Sequence, residues 1–243
     1  MGATSQAQSG HFVLLGGGGF SMNPTATALD RYLLSLTGKE NPKVCFVPTA
    51  GGDNPEYVSR FEQAYADLAQ THVFTLFGNE YPIGQAQDLL GHDLIFVGGG
   101  STVNLLALWR AHKVPDALHQ AQRSGTILAG VSAGANCWAA ASSTDSFGTL
   151  APLQDGLGWL PFSVCPHYRG EAGRREHFHH WVGTGELPDG YGIDDGVGMH
   201  FIGERLEEVV TEVPNNSAFQ VSRQPGGSNE KRLPATVLPD PEQ

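Results

Sequence analysis

The chain has 243 residues and a formal net charge of −11. That acidity excludes nucleic acid and anionic membrane surfaces as partners, since both require a basic face that displaces counterions. No apolar run approaches the ~20 residues of a membrane span, and the polar start lacks the regions of a signal peptide. The three cysteines, Cys45, Cys137 and Cys165, are too scattered for a disulfide framework or a thiolate metal centre and read as small core residues. The expectation is a cytoplasmic, cofactor-free, metal-free protein with one α/β domain over 1–243, of which 1–10 and 224–243 are peripheral or flexible.

In chain order, residues 11–15, 43–47, 73–77, 93–97 and 126–131 are short apolar runs without alternation, as parallel strands covered on both faces require. Asn23-Pro24 and Asn54-Pro55 each pair an N-cap residue with proline at the first helical position, predicting helices of about fifteen residues. Ser101 caps a third helix, which runs through Leu105, Leu108 and Trp109, and a further helix is predicted over 135–141. This β-α alternation predicts a doubly wound, mostly parallel sheet with helices on both faces, whose ligands gather beyond the carboxyl ends of the strands. After residue 145 the expected elements are strands at 162–165, 196–202 and 209–213 and a polar helix over 172–182.

Three small-residue turns fall at the carboxyl ends of predicted strands: Gly16 to Gly19, Gly98 to Gly100, and Gly130-Val131-Ser132-Ala133-Gly134-Ala135. The last is a nucleophile elbow, in which a strained strand-to-helix turn exposes Ser132 and the next backbone N–H, that of Ala133, faces a developing oxyanion. Gly99 or Gly100 supplies the second oxyanion donor. The Gly98–Gly100 turn lacks Walker spacing and its lysine, so a phosphate-loop reading is weak.

A serine nucleophile needs a base and the base an orienting acid. His167 directly follows the strand at 162–165, which places it at the same sheet edge as Ser132. His177, His179 and His180 share a polar helix at spacings that do not converge on a metal. For the acid, Asp195, in Tyr191-Gly192-Ile193-Asp194-Asp195-Gly196, and Asp145, in the turn after the elbow, remain equal candidates.

These segments resemble peptidase family S51, which includes peptidase E and cyanophycinase, within the class I glutamine amidotransferase-like superfamily. The resemblance covers roughly 12–211 and rests on Phe46-Val47-Pro48-Thr49-Ala50, on Phe96 to Leu106, on Gly130 to Asn136, on Ser143 to Gly148, on Cys165-Pro166-His167 and on Gly192 to Gly196. It implies a serine exopeptidase of the dipeptidase or aminopeptidase type acting on small peptides, with Ser132 as nucleophile, His167 as base and Asp195 or Asp145 as acid. A glutamate commonly stands at the place of Asp195 in the family. Cleavage after an N-terminal Asp would need a cation, for which Arg169, Arg174 and Arg175 are candidates. Asn104, at the start of the third helix, is a further candidate substrate contact.

Two competing readings are an α/β-type esterase using Ser132, Asp145 and His167, and a binding module that keeps the fold without catalysis. A homo-oligomer interface lined by Trp138, Trp159 and Trp181 competes with the simpler reading of those residues as core.

Overall fold

The computed structural model describes residues 10–240; 1–9 and 241–243, part of the segments read as peripheral, lie outside them. The first half of the chain runs β1 (His11–Leu15), α1 (Ala28–Ser35), β2 (Lys43–Val47), α2 (Pro55–Tyr65), β3 (Gln70–Val73), β4 (Leu94–Val97), α3 (Thr102–Ala111), α4 (Val114–Arg123) and β5 (Ile127–Val131). There follow the one-turn α5 (Ala133–Asn136), β6 (Ala139–Thr144), β7 (Ala151–Leu153), β8 (Leu160–Cys165), α6 (Arg174–Thr184) and β9 (Gly190–Ile193). The chain ends with β10 (Val197–Ile202), β11 (Arg205–Thr211), β12 (Ala218–Gln224), β13 (Gly227–Arg232) and β14 (Thr236–Val237).

The main sheet has the order β14-β11-β10-β1-β5-β4-β2-β3. Its strands β1 to β5 are parallel, whereas β10 is antiparallel to β1 and β11 to β10. On β1, Val13 and Leu15 pack with α1 and α2 on one face, and Phe12 and Leu14 pack with α3 and α4 on the other. Both faces are therefore dry, which is why the strand sequences do not alternate. The architecture is α/β, as expected, with a second, six-stranded sheet in the order β13-β12-β9-β8-β6-β7. Trp138, Leu160, Val164 and Ile193 join that sheet to the main core, and Phe178, Trp181 and Val182 of α6 pack with Tyr168 and Phe219 in a separate cluster.

Several boundaries differ from the sequence reading. The first helix starts at Ala28, not at Pro24, because Asn23 closes a turn onto the Gly19 carbonyl while the Asp30 carboxylate accepts the Thr27 N–H. Strand β3 ends at Val73, and the N–H groups of Leu76 and Phe77 donate to Asp53 instead of to a neighbouring strand. The helix after Ser132 is a single turn, and the small residues from Ala139 enter β6. Residues 227–232 are polar but form a hairpin with β12 and pack on α6. Trp138 and Trp181 are buried, and Trp159 stacks on Trp138, so these indoles serve the core. No helix among the described residues is long and apolar enough to cross a membrane.

Candidate active site

Ser132 stands between β5 and α5 with φ 55° and ψ −112°. L-residues rarely adopt this region, and strain of this kind gathers at functional turns. The turn closes only because its flanks are bare: a Cβ on Gly130 would lie 2.2 Å from the Gly134 carbonyl oxygen, and one on Gly134 would lie 2.2 Å from that of Val97. The Ser132 N–H donates to the Leu15 carbonyl at 3.0 Å. Ala133 is the first residue of a helix, so its N–H has no acceptor within that helix.

The turn after β4 comes alongside, since a Cβ on Gly99 would sit 3.4 Å from Ser132 Cβ and 4.0 Å from its Oγ. The Gly99 N–H donates to the Tyr57 hydroxyl at 3.3 Å, and burial pushes that phenol up to about 12. The Gly100 N–H makes no hydrogen bond among the described residues. Gly100 itself is required by contact: its φ is +137°, and a Cβ would stand 2.1 Å from the Ala50 carbonyl oxygen.

His167 follows β8 and also has a positive φ, 53°. Its N–H donates to the Gly16 carbonyl at 3.2 Å, and its ring Nδ1 lies 2.6 Å from Asp195 Oδ1. An ionised carboxylate only accepts, so Nδ1 carries the hydrogen and Nε2 keeps its lone pair. Asp195 is anchored on both sides: Gly196 donates to the Gly17 carbonyl at 2.9 Å, and Asn216 Nδ2 donates to the Asp195 carbonyl at 2.8 Å. Three consecutive carbonyls, that of Leu15 at the end of β1 and those of Gly16 and Gly17 after it, thus hold the segments of Ser132, His167 and Asp195.

The neighbouring Asp194 is buried and faces the other way. It accepts Arg169 Nε at 3.0 and 2.9 Å, Arg169 Nη2 at 2.5 Å and the Ser217 N–H at 3.0 Å, while the guanidinium lies 4.8 Å from the centroid of the Phe219 ring. Asp145 is exposed, 3.4 Å from Arg174 Nη2. Arg174 is buried and donates to Glu171 at 2.5 Å, and Arg175 pairs with Glu230 at 3.0 Å. Each arginine read as a substrate cation therefore already has a carboxylate partner. Asn104 is exposed on the first turn of α3, its N–H held by Ser101 Oγ.

Sequence reasoning missed the Arg169–Asp194 pair and the role of Glu230. Glu230 accepts the Tyr168 hydroxyl at 2.6 Å, Arg175 and His179, and it reaches the residue beside His167 from the far end of the chain. Burial opposes its ionisation, but hydrogen bonds from Arg175, Tyr168 and His179 outweigh it and hold its carboxyl at about 2. His177, His179 and His180 diverge to Gly173, to Ser228 with Glu230, and to Glu186.

The family model of peptidase family S51 matches residues 12–209 of this chain. The chain belongs to peptidase family S51. This S51 peptidase is 40% identical over 215 residues to the uncharacterized peptidase YgaJ of Bacillus subtilis, covering 86% of this chain and 90% of the relative. It is 28% identical over 190 residues to a peptidase E of Streptomyces coelicolor, covering 73% and 76% of the two chains. Its fold is similar to that of a peptidase from an acI-B1 actinobacterium, with TM-score 0.68 at 18% identity over 94% of this chain and 96% of that one. A putative peptidase E from Listeria monocytogenes gives TM-score 0.56 at 18% identity over 93% and 99%.

Proposed function

We propose that this S51 peptidase is a serine exopeptidase that releases the N-terminal residue of small peptides through Ser132, His167 and Asp195. The observation that carries this reading is the 2.6 Å contact between His167 Nδ1 and Asp195, whose segments bond to Gly16 and Gly17, directly after the Leu15 carbonyl that holds the Ser132 backbone. In the proposed reaction His167 Nε2 takes the Ser132 hydroxyl proton as Oγ attacks the scissile carbonyl. The oxyanion is met by the N–H of Ala133 and by that of Gly100, with Gly99 able to join if its amide leaves Tyr57. His167 then protonates the leaving amine, and water, deprotonated by the same imidazole, releases the acyl group and restores Ser132.

The prior pairing of Arg169, Arg174 and Arg175 favours uncharged N-terminal residues over strict Asp specificity. The test is a dipeptide panel of Asp-X, Asn-X, Glu-X and neutral-X peptides with N-acetylated controls, assayed with the wild type and Ser132→Ala. Cleavage confined to peptides with a free amino group, and absent from the variant, is the expected result. Faster hydrolysis of p-nitrophenyl esters than of any peptide would instead identify an esterase.

A further inference from the structure

Outside the Ser132 turn, three side chains with metal-ligand chemistry meet near the β3 edge of the main sheet. Cys45 on β2 and His72 on β3 are register partners, and His92 lies in the turn that leads into β4. The Cys45 Sγ and one ring nitrogen from each histidine all lie within 4.8 Å of one another, the one such group among the described residues. The cysteine reads from sequence as a core residue, and nothing in the chain order joins it to either histidine.

Two features go beyond proximity. His92 Nδ1 lies 3.2 Å from the Leu89 carbonyl oxygen. A carbonyl only accepts, so Nδ1 carries the hydrogen and Nε2 is left as a donor atom for a cation, the backbone-oriented arrangement usual for a ligating histidine. The rings of His72 and His92 stack with centroids 5.2 Å apart and planes 21° apart, so their lone pairs run side by side and a shared ion requires the exposed His72 ring to turn. Cys45 is buried, His92 half-buried and His72 exposed, which gives a closed floor with one open side for entry.

We propose that Cys45, His72 and His92 bind a thiophilic divalent cation of the zinc class, with water completing the tetrahedron. One thiolate and two imidazoles suit zinc and exclude magnesium or calcium, which take oxygen donors. Zinc bonds of about 2.0–2.3 Å require donors roughly 3.5 Å apart, so from separations of up to 4.8 Å binding draws the three together by up to about 1.3 Å, with the exposed His72 ring turning onto the ion. As the Zn–S bond forms, the Cys45 thiol proton passes to solvent and the ion sheds bound water. The site ties β2, the edge strand β3 and the entry to β4 to one another. Its effect is therefore on stability, and the hydrolytic reaction does not pass through it.

The test uses the full-length protein, stripped with chelator and titrated with Zn²⁺, and with Co²⁺ as the spectroscopic probe. The expected result is one ion per chain, a thiolate-to-cobalt charge-transfer band, and a thermal midpoint raised by Zn²⁺. Cys45→Ala should abolish the band, and His72→Asn, at an exposed position that does not threaten folding, should weaken binding by about tenfold or more. Peptide hydrolysis by the stripped wild type should be unchanged. Absence of binding at micromolar Zn²⁺, uptake without the thiolate band, or undiminished uptake by His72→Asn would each overturn the proposal.

Discussion

The Nδ1 atom of His167 and the Oδ1 atom of Asp195 stand 2.6 Å apart, although β9 and α6 lie between them in the chain. The contact fixes the imidazole tautomer, so losing the charge should matter more than losing the bulk. Asp195→Asn should lower kcat for the best dipeptide by about 10³–10⁴-fold with little change in KM. Asp145→Asn, at an exposed carboxylate paired among the described residues with Arg174, should change it by about twofold at most. Steady-state kinetics of the two variants decide which aspartate is the acid; the reverse ranking would assign it to Asp145.

Gly17 is a second test of the same geometry. A Cβ there would stand 2.1 Å from Asp195 Oδ1 and 3.0 Å from the His167 ring. Gly17→Ala should push the pair apart and reduce kcat by about 10²-fold, the scale of a 1 Å misplacement, while circular dichroism stays that of the wild type.

The positive φ of Ser132 implies that stability is given up at this turn. Ser132→Gly relieves the backbone and should raise stability by about 1 kcal/mol, or about 2–4 °C in Tm for a chain of this size. Ser132→Ala retains a Cβ and should show no such gain, so calorimetry of the two variants isolates the backbone contribution.

Two carboxylates should give the stability curve slopes of opposite sign. Burial lifts Asp30 from 3.8 to about 6 against hydrogen bonds from Thr27 and Tyr65. The folded state therefore binds the extra proton, and this contribution, about 3 kcal/mol below pH 4, is lost as pH rises to about 6. Glu230 is held at about 2 against an ordinary 4.5, so its contribution is present above pH 4.5 and lost as pH falls towards 2. Because Glu230 is partly exposed, about 1–2 kcal/mol is expected from it. Urea midpoints against pH should lose the first slope in Asp30→Asn and the second in Glu230→Gln.

Four of the five parallel strands, the Ser132 elbow and the position of His167 were legible because each depends on local pattern: apolar runs, small flanking residues and a strand end; β3 lies at 70–73, ahead of the apolar run at 73–77. The choice between Asp145 and Asp195 was not, since both lie in turn-like sequences and only the path of β9 into β10 carries one of them to His167. Adjacent Asp194 and Asp195 look alike in sequence, yet one is consumed by Arg169 and the other faces His167. Strand β13 was missed because its polar residues are stabilised by the β12 ladder and by Glu230 reaching α6, neither of which hydropathy reports. Cys45, His72 and His92 come from three separate segments, so only strand register brings them together.

The most direct measurement is intact-mass and peptide mapping after reaction with a fluorophosphonate. One adduct per chain is expected, on Ser132, absent from Ser132→Ala and formed far more slowly by His167→Ala. An adduct on another residue, or none in a wild-type preparation that cleaves peptides, would contradict Ser132 as the nucleophile.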